Sequence, residues 1–383
     1  MKAKELLHLI PDEELEFLAA ESKVDRQVKK LRGITIFQLI LFSMLHTDKP
    51  SLRVMETIFH SMQFRIISGL TDETTRFNSI RDRIATINSN FFERLFSTVF
   101  DKFNKYFGEE DALIRYDSTM VAISSKLVEW GMRVGSKTNK VQLKYTIGMK
   151  GSFPCQVSVY DKPEALSEDK TIPQAILSNA TSTSGIVVFD RGVQARKAYE
   201  QLTKRKRLFV TRANPSIRYR ILKRLKIAPT LKQETTNIQQ DLIVQLRGDR
   251  GKWETTKLRL VRGVINATGE VIYFLTNIES LSAYEIAAIY KQRWDIEALF
   301  KFLKQHLNLS HLVARNTNGI RVMIYMTLLL AILLIAYKKL NKLSSYKIAK
   351  LQFSQNLETD IVKQIVLLCG GDPLKLKYLF NDS

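Results

Sequence analysis

Val322 to Tyr337, VMIYMTLLLAILLIAY, is a run of sixteen residues without a single charge. A helix that is apolar on every face has to be enclosed, either by lipid or by the rest of its own protein. Crossing a bilayer takes about 20 residues, and this run is shorter. Arg321 precedes it, Lys338 and Lys339 follow it, and no second candidate span exists in the chain. The run is therefore read as the buried central helix of a large α/β domain, with no membrane partner. That demands a sheet and further helices to cover it.

The composition can supply them. With 383 residues and 45% hydrophobic content, the chain has room for two to three domains with buried interiors. Cys155 and Cys369 have no metal-type spacing, and His8, His46, His60, His306 and His311 form no ligand cluster. A zinc site and a disulfide framework are thereby excluded. The first twenty residues, MKAKELLHLIPDEELEFLAA, are interrupted by acids and a proline and do not have the form of a signal peptide, so a cytoplasmic location is expected. Net charge is +21, and Lys204 to Lys226 holds ten basic residues and no acid. Such a footprint suits a nucleic-acid binder. Ribosomal or membrane-surface attachment would give the same bias, so charge names a class of partner and not an activity.

The texture of the chain changes along its length. Residues 1 to 105 follow helical patterns. Gly33-Ile34-Thr35-Ile36 opens the apolar run IFQLILFSMLH, His46 to Pro50 makes a short turn, and Ser51 is the expected N-cap of the next helix. Two helices joined this way fit a helix-turn-helix reader of DNA and equally a plain helical hairpin. From Ala112 onward, ALIRYDSTMVAI, VQLKYTIGMK, CQVSVYD, GIVVFDRG and RLFVTRAN are strand-like. Helical stretches at Pro163 to Ser178 and Val193 to Arg205 separate the later strands, which suggests a mixed sheet covered by helices. DLIVQLR, WETTKLRLVRGV and VIYFLTNI then alternate apolar and polar positions, as a small antiparallel unit does. The tail from Ser345 is helical and basic.

Ser282 and Glu285 form a capping box that starts a further helix. If that helix is continuous, Tyr290, Arg293, Glu297 and Lys304 fall within about 60° of one another at about 100° per residue. One carboxylate then lies among a phenol, a guanidinium and an ammonium. Ile289, Ile296, Leu299, Phe300, Leu303 and Leu307 form the core-facing side. The charged stripe suits a site holding a divalent metal against a phosphate backbone. A solvated face with incidental pairs four residues apart is the plain alternative. Two aspartates add to the first reading. Asp117 interrupts the strand in IRYDST and Asp190 ends the strand in VVFDRG, although acids are disfavoured in strands. Either acid alone is an ordinary turn residue or cap. Gly192 would permit a sharp turn holding Asp190 at the sheet's edge. With Glu297 they make three carboxylates from three separate segments, an oxygen ligand set suited to Mg²⁺.

These motifs resemble the DDE transposases of the insertion-sequence-four type. The hallmark of that family, Y-x2-R-x3-E-x6-K, is matched at every defined position by YKQRWDIEALFKFLK. RYDST looks like the family's first-aspartate strand and VVFDRG like its second-aspartate turn, and the resemblance runs from Leu113 to Ile335. It implies an RNase H-like mixed-sheet α/β catalytic core, interrupted by an antiparallel β insertion and preceded by an all-α N-terminal domain. In that scheme 1–105 is a helical DNA-binding domain, 106–213 the first part of the core and 214–278 the β-rich insertion. Residues 279–345 complete the core with the signature helix, and 346–383 are a short helical tail.

The resemblance also implies roles. Asp117, Asp190 and Glu297 would be catalytic and hold two Mg²⁺ ions, with Mn²⁺ as a substitute. Tyr290, Arg293 and Lys304 would contact DNA phosphates, joined by Arg191. Cleavage through a DNA hairpin would call for an aromatic residue to stack a flipped base, and Trp253 is the candidate; Trp294 is either core or DNA contact. The expected function is a transposase that cuts at terminal inverted repeats and joins the 3′ ends to target DNA, working as a homodimer in the synaptic complex. An RNase H-like endonuclease and a catalytically silent DNA-binding protein are the alternatives. The short tail departs from relatives with a long C-terminal dimerisation segment.

Overall fold

The computed structural model describes residues 7, 10–109, 113–123, 132–133, 141–178, 185–227, 235–248, 251–309, 313–314 and 316–378. His8, His311 and Ala112 lie outside them.

The first hundred residues are helical: α1 (Asp12–Glu21), α2 (Gly33–His46), α3 (Leu52–Phe59), α4 (Met62–Ser68), α5 (Phe77–Thr86) and α6 (Ser89–Tyr106). Ser51 caps α3 as expected, accepting a bond from the Val54 amide at 3.3 Å. Helix α2 is buried on nearly every face, so it is a core element of this helical layer. His46 and His60 serve the fold, bonding the Phe42 carbonyl and the Thr75 amide.

Strands β1 (Ile114–Ile123), β2 (Met132–Arg133), β3 (Val141–Lys150) and β4 (Phe153–Tyr160) come next. They are followed by α7 (Glu168–Ser178), β5 (Val187–Phe189), α8 (Arg196–Lys204) and β6 (Phe209–Arg212). Strands β7 (Tyr219–Arg224), β8 (Thr236–Arg247), β9 (Trp253–Ile265) and β10 (Val271–Thr276) complete one mixed sheet of order β2-β3-β1-β5-β6-β10-β9-β8-β7, with β4 also on β3. β1, β5 and β6 are parallel, and β3 and β10 flank them antiparallel. The antiparallel unit is thus continuous with the core sheet through β10 and β6. Strand β7 lies inside the Lys204–Lys226 basic run, where no strand was expected. It is an exposed edge, and its cations guard it against pairing with another chain.

Two helices then occupy the place of the single one expected: α9 (Ala283–Lys291) and α10 (Trp294–His306). Both bonds of the Ser282–Glu285 capping box are present. The long helix α11 (Thr317–Leu340) exceeds the apolar run at both ends, and 94% of its most apolar window is buried inside the protein. Helix α12 (Tyr346–Leu368) packs back on α11. One continuous core joins α2, α6, the β3–β4 face, α10, α11 and α12. A second lies between the sheet and α7 and α8, and a third under α9.

Because the helical layer and the sheet share α11, they should unfold together. Leu330→Ala, at a fully buried position, should cost about 2–5 kcal/mol and keep a single transition when followed by near- and far-ultraviolet circular dichroism. Two separated transitions would show that the helical layer has a core of its own.

Candidate active site

Strand register sets the two aspartates side by side. Tyr116 pairs with Phe189 in the parallel β1–β5 ladder, and Asp117 and Asp190 are the next residue of each chain. Ile114, Tyr116 and Phe189 enter the core beneath α7 and α8. Side chains alternate along a strand, so Arg115 and Asp117 face the other side, where α9 and α10 lie. Asp117 is half-buried and accepts a 2.7 Å bond from the Ser118 amide. Burial pushes its carboxyl up to about 6, and the Glu168 and Asp190 carboxylates add to this while Ser118 and Arg293 oppose it.

Tyr290 is buried at the end of α9, its ring tilted against Phe274 and its hydroxyl donating to Asp190 Oδ1 at 2.8 Å. Burial and then the Asp190 charge hold the phenol well above its ordinary value. Arg293 is 6% exposed. Its Nη2 bonds Glu297 Oε1 at 2.6 Å, and its Nε is buried without a partner among the described residues. Burial works against the Arg293 charge, but Glu297, Tyr290 and Asp190 outweigh it and raise its pKa. Arg293 thus stands between the aspartates and Glu297.

The helix breaks at Gln292–Arg293 for a tertiary reason. Arg115, 5% exposed on β1, donates from Nε to the Gln292 carbonyl at 2.7 Å and from Nη2 to Gln292 Oε1 at 3.1 Å. A continuous helix would give that carbonyl to the Ile296 amide. Instead the Asp295 amide takes it and Ile296 turns to Arg293. Arg115 also reaches the Gly151 carbonyl and Asp295. The signal for it was the one that marked Asp117: a charge inside an apolar strand.

Glu168, the first residue of α7, is a fourth acid at the site. Burial raises its pKa, Lys144 lowers it, and Asp190 raises it further. Lys144 is itself buried and is anchored to the Leu166 carbonyl at 2.8 Å. Nothing in sequence separates Glu168 from the acids that ordinarily begin a helix. Gly192 stands in the turn after Asp190, as expected, but for a different reason. That glycine does not use left-handed backbone; a Cβ there would overlap the Glu168 carboxylate. Next to Glu168, Asp169 Oδ1 accepts the amides of Gln194 and Ala195, the latter at 2.6 Å, and ties down the loop after Asp190.

The remaining expected residues are spread out. Arg191 is exposed on that loop. Lys304 is exposed on α10, its ammonium 6.0 Å from the Phe300 ring centre. Trp294 is 61% exposed and so is not core. Trp253 begins β9, 39% exposed beneath the Arg220 guanidinium. Among the described residues no three His, Cys, Asp or Glu side chains are close enough to hold a metal ion. The donor chemistry suits a hard cation at Asp117 and Asp190, whose neighbouring negative charges a cation would relieve. The third expected donor, Glu297, is held by Arg293.

A family model for the transposase DDE domain matches residues 110–334. A Sinorhizobium fredii protein named for a transposase, y4zB, is 28% identical over 43% of this chain and 46% of its own length. A Geobacillus stearothermophilus protein named for the transposase of insertion sequence element IS5377 is 24% identical over 82% of this chain and 78% of its own. A Synechocystis protein named for the transposase of insertion sequence element IS4SA is 29% identical over 55% of both chains. The chain spans about half the length of the first and third of these relatives.

Two outcomes follow from the geometry. The Asp117 carboxyl takes up its proton more readily folded than unfolded, so its favourable contribution is complete below the ordinary value of 3.8 and is lost as pH rises through about 6. With a chelator present, Asp117→Asn should be more stable than wild type at neutral pH by up to about 3 kcal/mol. The gap should close toward pH 4 in denaturant titrations; a constant gap would contradict the assignment. Arg115→Met should cost at least about 2 kcal/mol by leaving the Gly151 carbonyl and the Gln292 side chain without their partner. It should also free the Gln292 carbonyl for the Ile296 amide and slow hydrogen exchange there relative to α5; an unchanged ratio would refute the link.

Proposed function

The chain belongs to the transposase DDE domain family, and from that premise we propose that it is a DNA transposase of insertion-sequence-four type. On this reading it cleaves at the terminal inverted repeats of its element and joins the freed 3′ ends to target DNA in a cut-and-paste reaction. The observation that carries the reading is the junction of β1, β5 and α9–α10: Asp117 and Asp190 are adjacent by register, and Tyr290 and Arg293 of the signature motif close over them. The order β4-β3-β1-β5-β6, with β3 reversed, supports an RNase H-like core.

Asp117, Asp190 and Glu297 are the residues that would hold Mg²⁺, or Mn²⁺ in its place. When bound, such cations supply Lewis-acid charge stabilisation and a nucleophile for in-line displacement at phosphorus. The protein's own side chains do the rest. Tyr290 spends its hydroxyl orienting Asp190. Arg293 offers a buried, permanently charged fork suited to a phosphate. In taking up a phosphate it would release Glu297, which lies on the first turn of α10 and turns toward the aspartates. Arg191 and Lys304, exposed on either side, extend the basic surface for the DNA ends, with two copies of the chain meeting in the synaptic complex. Trp253, exposed at the start of β9, is the proposed stack for a flipped base in a hairpin intermediate.

A silent DNA-binding protein is the second reading, favoured by the Arg293–Glu297 pair. Nicking and strand transfer on a supercoiled plasmid carrying the element's ends, with Mg²⁺, separate the two. Glu297→Gln should abolish cleavage and keep DNA affinity. Arg293→Ala should weaken DNA binding about tenfold, the equivalent of about 1.4 kcal/mol, while calorimetry with Mn²⁺ shows metal affinity undiminished. Wild-type protein that binds ends but neither nicks nor joins them would establish the silent reading.

A further inference from the structure

A second basic site lies away from the signature helices. The β8–β9 ribbon curls over α8, and the shared core of Leu242, Val244, Leu258 and Leu260 with Tyr199 and Leu202 holds it there. The curl brings three arginines from distant segments to one polar cavity of about 280 Å³, lined by Arg196, Ser216, Arg218, Arg247, Gly248 and Gly251. Arg196 opens α8, six residues beyond Asp190; Ser216 and Arg218 follow the end of β6; Arg247 ends β8. In the chain, Arg196 and Ser216 thus come shortly after the carboxyl ends of the parallel strands β5 and β6.

The cradle is fixed by backbone. The Arg247 amide bonds the Arg218 carbonyl at 2.9 Å, and the Gly251 amide closes on Gly248 at 3.0 Å. Arg196 donates to the Gln194 carbonyl at 2.8 Å and to the Arg247 carbonyl at 3.5 Å; Arg247 donates to the Gly251 carbonyl at 3.3 Å. These bonds orient the Arg196 and Arg247 guanidiniums without neutralising them. None of the ion pairs among the described residues includes any of the three. Glu254 lies against Gly248 at the rim, and Asp169 holds the Gln194 and Ala195 amides beside Arg196; Asp249 and Arg250 lie outside the described residues. Guanidinium forks match a tetrahedral oxyanion in geometry as well as charge.

What stands beside the cavity narrows the anion. Trp253 pairs with Arg247 across the ribbon, and Arg220, two residues from Arg218, lies over the Trp253 ring at 5.1 Å. A phosphate cradle next to an exposed aromatic face is the pairing that grips a nucleic-acid strand by backbone and base together. We propose that Arg196, Arg218, Arg247 and Ser216 seat one phosphodiester of the DNA backbone, separately from the Tyr290–Arg293–Glu297 junction. The proposal rests on the DNA reading given above.

Fluorescence anisotropy with a labelled mixed-sequence duplex tests it across about 50–200 mM salt. The variant R196Q/R218Q/R247Q is compared with K105Q/K342Q/K347Q, which removes the same charge from exposed positions elsewhere. The arginine variant should bind more weakly than the lysine variant, and its salt slope should fall by about 0.9, the share of one phosphate. Arg218→Gln alone, whose side chain bonds no other described residue, should shift affinity in the same direction and guards against misfolding of the triple variant. Inorganic phosphate, titrated calorimetrically, should not saturate the wild-type protein. An unchanged slope in the arginine variant overturns the cradle, and saturable phosphate binding with an unchanged slope makes it a free-anion site. Wild-type protein that leaves the duplex unbound overturns the DNA reading itself.

Discussion

A guanidinium cannot shed its charge, and Arg115 is buried at the centre of the sheet. It has to find acceptors, and it finds them in the loop after β3 and at the junction of α9 and α10. By claiming the Gln292 carbonyl it takes from the helix the bond that would run to Ile296, and the chain tightens there, with Gln292 and Arg293 still helical in backbone. Tyr290 at the end of one helix bonds Asp190, and Arg293 and Glu297 pair at the start of the next. One strand thus carries both the acid of the site and the cation that sets the break in the motif.

The two aspartates follow from the parallel register of β1 and β5 and could not be spaced otherwise. Holding Asp117 ionised is costly, first because it is buried and then because Glu168 and Asp190 lie beside it. Lys144 and Arg293 offset part of the cost, and Tyr290 contributes a hydrogen bond without a charge. What remains is a negative pocket in a chain of net charge +21. That contrast draws cations into the pocket and polyanions to the surface around it, two partners a phosphoryl-transfer site needs together.

Much of this was legible in the sequence because it is written in local pattern. Runs rich in β-branched and aromatic residues marked β1 and β3 to β6, period-two alternation marked β8 to β10, the capping box marked the start of α9, and an acid inside a strand marked Asp117. Apart from β7, the exceptions depend on partners distant in the chain. β7 was hidden because RYRILKR reads as charge before it reads as alternation. The helix break has no cue at Gln292 or Arg293, both good helix formers; its cause is 177 residues away in Arg115. Glu168 looks like any acid at a helix start, and only the fold brings it to Gly192. The same holds for the arginine cavity, assembled from α8, the β6–β7 connection and β8.

The ribbon and the signature helices are not independent of one another. Arg259 of β9 makes a two-pronged, buried pair with Asp241 of β8 at 2.6 and 2.8 Å. The same guanidinium donates to the Leu281 carbonyl at 2.5 Å, immediately before the Ser282 cap of α9. A buried ion pair adds little net stability compared with apolar packing, but it tolerates few alternative geometries. It therefore fixes where α9 starts relative to the ribbon, and α9 in turn fixes Tyr290 over Asp190. A strand of DNA held on the ribbon and a carboxylate held by Tyr290 thus share one rigid connection. Sliding the ribbon would strand a charge in the core at Arg259 before it moved the site.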